Sequence, residues 1–378
     1  MELLINSFIK IKTLTLIGKS FFYTYFCVMI DFIIVGSGLA GIAFAEEAIA
    51  NNKTFVVFEN NSQNSSRIAG GLYNPVILKR FSEVWQADSQ LKLMKSFYEK
   101  VESKLQSKFN FELPILRKFF SFEEQNNWFI ASDKIGLSPF LSTKLVSKKY
   151  EGIDSPFDYG EVLRTGYVDT ASFLDTYIDY LKKNGLLLAE RFVHDDLIVN
   201  SDSVIYRDIE AKHIVFAEGF GMLNNSYFKD LPLDGTKGEL FVIKAPELDL
   251  DVIINTSVFI LPIGNHLFKV GATYNWTDKT DLPTEEGRAE LIERIKEILN
   301  CDFEVVEHFA GVRPTVKDRR PLLGTHPDFK NVHLFNGLGT RGVMLAPSMA
   351  KMLFEYIVNK TPLDTSVDIN RIYKKRRS

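Results

Sequence analysis

The stretch 31–59 constrains the fold of this 378-residue chain more than any other. Its short apolar run, 32–35, is typical of a strand buried in a parallel sheet. Three glycines follow at once in G-x-G-x-x-G spacing, namely Gly36, Gly38 and Gly41. The first glycine permits a tight turn, the second lets the backbone approach a pyrophosphate, and the third lets helix and strand pack closely. The spacing therefore predicts a strand–turn–helix unit that binds a dinucleotide.

The residues after the glycines complete this unit. Residues 42–50 are predicted to form a helix whose N-terminal N–H groups and dipole face the phosphates. Residues 55–58 are predicted to form a second buried strand, and Glu59 at its end can accept a hydrogen bond from a ribose 2′-hydroxyl. We therefore expect FAD or NAD rather than NADP. This stretch does not distinguish FAD from NAD. The alternative is a glycine turn that binds no ligand. The candidate cofactor-binding residues are Gly36, Ser37, Gly38, Leu39, Ala40, Gly41 and Glu59.

Two later parts of the chain are expected to reach the same cofactor. The loop after Glu59 contains Gly70 and Gly71, which permit a close backbone approach, and we expect it to run along the pyrophosphate or the isoalloxazine; the alternative is a surface turn. The apolar segments 186–193 and 213–219 are predicted strands, and the second of them returns to the first sheet. Further candidate cofactor-binding residues are Arg67, Gly70, Gly71, Leu72, Val193 and Gly219.

The rest of the chain predicts a second domain. Helical periodicity is present in 87–110, 171–184 and 285–299. Strands are expected within 111–158, and the segments 240–244, 258–262 and 267–273 have the composition of an antiparallel sheet that would cover the cofactor. A strand at 332–336 then leads through a glycine-rich segment to a terminal helix over about 347–358.

Composition limits the functional classes. A net charge of −3 gives no global reason to expect nucleic-acid binding, and we expect no DNA partner. The two cysteines, Cys27 and Cys301, form no C-x-x-C, which argues against a disulfide framework, a zinc site and a redox dithiol and favours the cytoplasm. The six histidines lack metal-ligand spacing, so no metal site is expected.

Residues 1–28 are treated separately. Their apolar runs are interrupted by lysines and are shorter than the roughly 18–20 residues of a membrane-spanning helix. Our hypothesis is that Met29 is the natural start and that 1–28 is a leader or a mis-assigned start. The alternative is a short anchor that holds the protein loosely at a membrane.

Several motifs together resemble the D-amino-acid oxidase-like (DAO) FAD-dependent oxidoreductases, the group of glycine oxidase, sarcosine oxidase and D-amino-acid dehydrogenases. The matching stretches are 35–41 with Glu59, 69–72, 166–169, 270–273, 311–324 and 337–347. The resemblance implies an α/β fold: a Rossmann-type FAD-binding domain and a second domain built on an antiparallel sheet, as in glutathione-reductase-like proteins. The expected FAD-binding domain is discontinuous (29–85, 160–235 and 305–362), the substrate domain comprises 86–159 and 236–304, and 363–378 is a basic tail.

The family oxidises C–N bonds by hydride transfer to flavin N5, and the resulting imine is hydrolysed. The resemblance thus implies a small amine or amino acid as substrate and oxygen or a quinone as electron acceptor. Two phrases, 66–75 and 337–342, resemble the oxidase domain of the bifunctional enzyme that trims carboxymethylaminomethyl-uridine in tRNA. A tRNA wobble-uridine oxidase is therefore the second hypothesis, and a non-catalytic, redox-sensing flavin-binding protein is the third. The oligomeric state is not predicted.

The resemblance also names site residues. Arg313, in G-x-R-P, is expected to hold a substrate carboxylate; the alternative is an ion pair with Asp318 or Glu307. Tyr274 is expected to be a pocket wall or a core residue, while Phe259 stands where relatives often have tyrosine. Sarcosine oxidase has a flavin-linked cysteine near the position of Arg313, so FAD is expected to bind without a covalent bond. The expected flavin-stabilising segment is Gly337, Leu338, Gly339, Thr340, Arg341, Gly342 and Val343.

Overall fold

The computed structural model describes the backbone of residues 11–17, 20–26 and 29–377 and the side chains of residues 29–374. Strands Ile11–Ile17 and Ser20–Phe26 pair antiparallel. The hypothesis that 1–28 is a leader falls largely outside the described residues and stays a prediction. Among the helices that the structure describes, none has the length and apolarity to cross a bilayer.

The first of two large sheets contains the glycine-rich unit. Its central strand, Ile30–Val35, is nearly fully buried and pairs in parallel with Phe55–Phe58 on one side and Ile209–Phe216 on the other. Helix Leu39–Ala50 follows the glycines and packs against helix Gly342–Asn359, where Phe44 contacts Phe354. The eight strands are Leu187–Leu188, Phe55–Phe58, Ile30–Val35, Ile209–Phe216, Val204–Tyr206, Leu197–Val199, Val332–Asn336 and Leu322–Thr325.

The second sheet has eight strands, antiparallel except for one parallel pair. Its longest strands, Leu233–Lys244 and Glu304–Val316, pair along most of their length. Ile253–Asn255 and Ile115–Lys118 form the parallel pair. In spatial order the strands are Leu141–Val146, Tyr159–Val162, Ile115–Lys118, Ile253–Asn255, Phe259–Gly264, Leu267–Gly271, Leu233–Lys244 and Glu304–Val316. The two sheets together confirm the predicted fold class of a dinucleotide-binding sheet with a second sheet built on antiparallel pairs.

Smaller elements connect the sheets. The short strands are Leu72–Tyr73, Gly166–Val168 and Asn110–Glu112 in one sheet, and Val76–Ile77 with Ser82–Glu83 in another. The remaining helices are Ser65–Ile68, Ala87–Leu105, Phe122–Ser132, Thr170–Lys183, Glu285–Lys296 and Asn370–Arg377, with 3₁₀ turns at His194–Asp196, Gly219–Asn224 and Gly339–Arg341. Asp169 caps Thr170–Lys183 by accepting the N–H of Ser172 at 3.1 Å.

Three local expectations differ from the structure. The segment 111–158 contains the helix Phe122–Ser132 besides strands, because the Ser121 hydroxyl caps that helix by accepting the N–H of Glu124. The predicted strand 186–193 is reduced to two residues, Leu187–Leu188. Residues 363–369 are not a free tail, since Val367 and Ile369 are fully buried. The exact domain boundaries stay a prediction, although first-sheet strands do come from three separated parts of the chain.

Candidate active site

A cavity of about 680 Å³ lies between the two sheets, at the carboxyl ends of strands Ile30–Val35 and Phe55–Phe58. This is the edge at which open α/β sheets bind their ligands. The second sheet closes the opposite side with Gly238, Phe259 and Arg313. The predicted residues that line it are Gly36, Ser37, Gly38, Leu39, Ala40, Glu59, Gly70, Gly71, Leu72, Gly219, Tyr274, Arg313, Leu338, Gly339, Thr340, Arg341, Gly342 and Val343.

The three fingerprint glycines differ in what surrounds them. A methyl group on Gly41 would lie 1.8 Å from the carbonyl oxygen of Gly36, so only glycine lets the helix approach the strand. Gly36 has a φ of +103°, a backbone conformation that glycine adopts readily and other residues rarely do. A methyl group on Gly38 would meet only the Ser66 hydroxyl, at 3.2 Å, and would otherwise project into open space. The turn therefore leaves room for a pyrophosphate beside the N-terminus of helix Leu39–Ala50.

Glu59 lies at the end of its strand beside the glycine turn. Its carboxylate accepts the N–H of Ser37 at 2.8 Å and the Ser37 hydroxyl at 2.5 Å. Its other oxygen accepts the N–H of Asn61 at 2.6 Å. These bonds hold the carboxylate at the cavity wall, where it can accept from a ribose hydroxyl. The glycine turn, the helix N-terminus and this acid fit an adenine dinucleotide.

Four predicted cofactor-binding residues lie outside the cavity wall. Arg67 forms an ion pair with Asp175 on helix Thr170–Lys183, so its charge is directed away from the cavity. Val193 is 40% exposed, and its N–H donates to the Tyr206 hydroxyl at 3.1 Å. Gly337 lines the neighbouring cleft rather than the cavity, and Gly41 serves helix packing. The prediction that Arg67 binds the cofactor is therefore corrected: its guanidinium pairs with Asp175 instead.

Arg313 is held by its surroundings rather than by a carboxylate. Its side chain crosses Gly238 so closely that a methyl group there would lie 1.9 Å from Nη2. Its Nη1 donates to the Thr273 carbonyl at 3.3 Å, and its guanidinium lies 4.7 Å from the Tyr274 ring centroid. The predicted alternative partner Asp318 pairs with Arg371 instead, at 3.1 Å. Within the described residues no carboxylate pairs with Arg313, and burial lowers the pKa of its guanidinium.

The glycine-rich segment after strand Val332–Asn336 forms a 3₁₀ turn that leads directly into helix Gly342–Asn359. The helix thus begins about five residues before the predicted start, with Pro347 inside it. The buried hydroxyl of Tyr98 donates to the Val343 carbonyl at 3.0 Å and fixes this first turn. Burial, and after it repulsion from Arg319, lowers the pKa of the Arg341 guanidinium.

Other lining side chains were missed by the sequence analysis. His194 Nε2 lies 2.8 Å from Glu218 Oε1, and both side chains line the same cavity as Glu59. Asn255 and Phe192 also contribute, from a short strand and a loop. No sequence motif links these residues, since they lie in separate parts of the chain. Within residues 29–374, no group of three or more His, Cys, Asp or Glu side chains is arranged to hold a metal ion.

A second cleft, of about 1660 Å³, adjoins the cavity. The two share the side chains of Asn74, Asn255 and Tyr274 and the turn that contains Arg341. The cavity and the cleft therefore share part of their walls.

Comparison with known proteins agrees with this geometry. The chain is 24% identical to glycine oxidase from Bacillus subtilis (strain 168) over 222 residues, 54% of this chain and 60% of the relative. It is 27% identical to the tRNA 5-methylaminomethyl-2-thiouridine biosynthesis bifunctional protein MnmC from Marinobacter nauticus over 191 residues, 45% of this chain and 30% of the relative. The matches thus span less than two thirds of either relative.

The crystal structure of glycine oxidase from Bacillus cereus ATCC 14579 superposes with a TM-score of 0.71 and 19% identity, covering 88% of this chain and 96% of that one. At this identity the likeness shows the fold. The model of the family described as "DAO: FAD dependent oxidoreductase" matches residues 31–356. The chain therefore belongs to the DAO family of FAD-dependent oxidoreductases.

Proposed function

We propose that this enzyme oxidises the C–N bond of a small amino acid or secondary amine that bears a carboxylate. The substrate loses a hydride from the carbon beside nitrogen and a proton from nitrogen, and water hydrolyses the resulting imine. Bound FAD supplies the hydride acceptor at N5. The single observation that supports this substrate is Arg313, a guanidinium in the cavity wall without a carboxylate partner among the described residues.

The neighbours of Arg313 suit a positioning role. The Thr273 carbonyl and the Tyr274 ring hold the guanidinium plane from two directions, and Gly238 leaves the space it occupies. A guanidinium held in this way offers two parallel N–H donors to a carboxylate. Since two bonds fix the orientation as well as the position of the substrate, the C–H beside nitrogen is presented in one direction.

The turn Gly339–Arg341 and the helix after it support the same chemistry from the opposite wall. The unpaired N–H groups of the helix N-terminus and the charge of Arg341 face the cavity. They stabilise negative charge that develops there during hydride transfer. Non-covalent binding of FAD is part of this proposal, with Gly36, Gly38 and Glu59 as its holding residues. Oxygen or a quinone is the proposed final electron acceptor.

The test is substrate binding by Arg313→Met and Arg313→Lys. Loss of a charged hydrogen bond is worth about 1.5–3 kcal/mol, so we expect the substrate Kd to rise roughly 10–150-fold in Arg313→Met. Arg313→Lys should recover only part of it, because an ammonium cannot bind in a bidentate manner. Anaerobic titration followed by flavin absorbance measures both.

The control is Arg164→Met, which removes an arginine that forms a surface ion pair with Asp88, neither of which lines the cavity. All three variants should retain FAD. An unchanged Kd in Arg313→Met would refute the carboxylate role. A flavin that no amine reduces would favour the third hypothesis, a redox-sensing protein without turnover.

The wobble-uridine side chain of tRNA is retained as a second candidate substrate because of one specific observation. The cleft beside the cavity is rich in arginine, although the whole chain has a net charge of −3. Co-purification of tRNA and flavin reduction by modified tRNA alone would favour this candidate over free amino acids.

A further inference from the structure

A histidine–carboxylate pair in the cavity wall has no part in the proposed oxidation. His194 Nε2 lies 2.8 Å from Glu218 Oε1, and the two side chains are only 15% and 14% exposed. Both line the cavity that contains the glycine turn. Buried polar groups cost desolvation energy unless they are hydrogen-bonded. In the part of the chain that the structure describes, the other ring nitrogen, His194 Nδ1, has no hydrogen-bond partner.

The loop that carries His194 begins beside the acid at the end of the second strand. The N–H of Glu59 donates to the Leu188 carbonyl at 3.0 Å, and the loop then lines the cavity. The centroid of the Phe192 ring lies 5.3 Å from that of Phe58 and 5.8 Å from that of His194. Because Phe58 immediately precedes Glu59, the histidine lies on the side of the cavity where a ribose hydroxyl can bond.

Glu218 is held as a hydrogen-bond acceptor by a fully buried asparagine, Asn225. The Asn225 Oδ1 accepts the backbone N–H groups of Tyr227 at 2.8 Å and Phe228 at 3.2 Å. These two bonds fix the side-chain amide, whose Nδ2 donates to Glu218 Oε2 at 2.6 Å. Since Nδ2 can only donate, the carboxylate accepts at Oε2, and its Oε1 accepts from His194 Nε2. Asn225 thus determines which nitrogen of the histidine carries the proton.

This arrangement makes the second ring nitrogen a hydrogen-bond acceptor. A neutral imidazole that donates from Nε2 has a lone pair at Nδ1, so Nδ1 of His194 can bond to an N–H or O–H group but not to a phosphate oxygen. Adenosine offers such donors in its exocyclic amine and its ribose hydroxyls. The pyrophosphate offers none, and the turn at Gly36–Gly38 already suits it. His194 therefore complements adenosine rather than the phosphates.

We propose that His194 binds the adenosine half of FAD through Nδ1, and that Asn225 and Glu218 are positioning residues that fix the tautomer required for this bond. The exocyclic amine and a ribose hydroxyl present the same donor chemistry to Nδ1. This role concerns the cofactor and not the amine that is oxidised, so it can fail while the proposed oxidation holds.

The experiment starts from the FAD-loaded protein and measures FAD in the filtrate after dilution and ultrafiltration, which gives the FAD Kd. Glu218→Gln keeps the shape of the side chain. Its oxygen must face Asn225 Nδ2, so its amide group donates to His194 Nε2 and moves the ring proton to Nδ1. We expect the FAD Kd to rise about three- to tenfold, the effect of one lost hydrogen bond. Nitrogen NMR of the His194 ring shows the change of tautomer directly.

Displacement of bound FAD by fragments locates the bond. In Glu218→Gln the FMN concentration that displaces half of the FAD should fall by the same factor as the FAD Kd rises, because FMN lacks adenosine. The ADP concentration should stay unchanged, because ADP loses the same bond. Inosine diphosphate in place of ADP distinguishes the two donors: weaker displacement of FAD from the parent protein assigns the amine, and equal displacement assigns a ribose hydroxyl.

Two substitutions of the histidine and one control complete the test. His194→Gln retains an amide near Glu218 but nothing at the Nδ1 position, and it should match Glu218→Gln. His194→Asn retains a polar atom at the Nδ1 position and should bind FAD more tightly than His194→Gln. The matched control is His308→Gln, since His308 Nε2 also lies 2.8 Å from a carboxylate oxygen, that of Glu239, outside the cavity lining.

The control should bind FAD like the parent protein. An FAD Kd that is unchanged in both Glu218→Gln and His194→Gln would overturn the assignment, and a loss in His194→Gln alone would retain the contact and overturn the role of Glu218. An equal loss of FMN and FAD affinity would also overturn it, because the pair would then only support the fold of the cavity. Reduction of the bound flavin by an amine would still support the proposed oxidation in each case.

Discussion

The two large sheets face the same cavity with different chemistry. The first sheet presents mainly main chain, through the turn at Gly36–Gly38 and the N-terminus of helix Leu39–Ala50, together with Glu59 at a strand end. The second sheet presents the charged side chain of Arg313, while Arg341 comes from the turn after the first-sheet strand Val332–Asn336. Backbone groups suit a cofactor whose phosphates are always the same. Side chains suit a substrate, since they can change without altering the fold.

The two sheets also differ in the charge of their buried polar side chains. In the first sheet His213 and His333 contact each other at 3.1 Å, and burial keeps both neutral by lowering their pKa values. In the second sheet Lys237 is fully buried as an ion, paired with Asp278 at 2.5 Å. The first sheet thus avoids buried charge, whereas the second uses a buried ion pair to hold the loop after Tyr274.

The largest expected effect comes from the glycine turn. Gly41→Ala places a methyl group against the Gly36 carbonyl, so we expect a loss of about 3 kcal/mol or more in unfolding free energy, together with loss of FAD. Gly38→Ala should lower FAD affinity at least about tenfold, the value of a lost charged hydrogen bond, with little change in apoprotein stability. Urea unfolding and flavin absorbance separate the two effects.

Gly185→Ala is the matched control for backbone strain alone. Gly185 has a φ of +65° and no atom within 4 Å of an added methyl group. It should cost about 1 kcal/mol and leave FAD bound. Equal loss of FAD in Gly38→Ala and Gly185→Ala would contradict the view that the first sheet binds its ligand through open backbone.

The next effect concerns the buried ion of the second sheet. Lys237 Nζ donates to Asp278, to Thr280 Oγ1 at 3.3 Å and to the Leu282 carbonyl at 2.5 Å, and so ties down the loop after Tyr274. Lys237→Met should destabilise the protein by about 3 kcal/mol, because the buried carboxylate of Glu239, 3.5 Å from Nζ, is left without this counter-ion. It should also raise the KM more than it lowers kcat, since the loop that Lys237 holds follows Tyr274, which lines the cavity.

The control for Lys237 is Lys148→Met, which removes an exposed pair with Asp251 in the same half of the molecule. That substitution should change stability by less than about 0.5 kcal/mol. If both lysine variants unfold at the same urea concentration, the buried ion is not what holds the loop.

The smallest effect is a pH dependence from the first sheet. Burial lowers the pKa of His213 to about 4, while its value in the unfolded chain stays near 6.5. Between these values only the unfolded chain binds the proton, so stability falls as the pH drops from 6.5 towards 4. We expect a loss of about 2 kcal/mol after allowing for partial solvent access. His213→Gln should make this part of the profile shallower, with the remaining slope due to His333, whose pKa burial also lowers; urea midpoints at several pH values measure both.

The first sheet could be predicted from sequence and the cleft could not, for a physical reason. The turn at Gly36–Gly41 is local, because strand, glycines and helix are consecutive; Gly41 is required by a contact within the unit and Gly36 by one with the neighbouring strand. The second cleft is lined by arginines at positions 80, 319, 320 and 341, which only the folded chain brings together. Arg67 shows the opposite error: it was predicted to bind the cofactor, but it forms an ion pair with Asp175, more than a hundred residues later in the chain.

Oxidation of a carboxylate-bearing amine by bound FAD is tested most directly by the visible spectrum of the purified protein. The spectrum is followed under anaerobic conditions as such amines are added, both free and nucleotide-linked. We predict a flavin spectrum that bleaches with such an amine, and does so at far lower concentration in the parent protein than in Arg313→Met. A protein that stays colourless after FAD is added, or a flavin that none of these amines reduces, would contradict it.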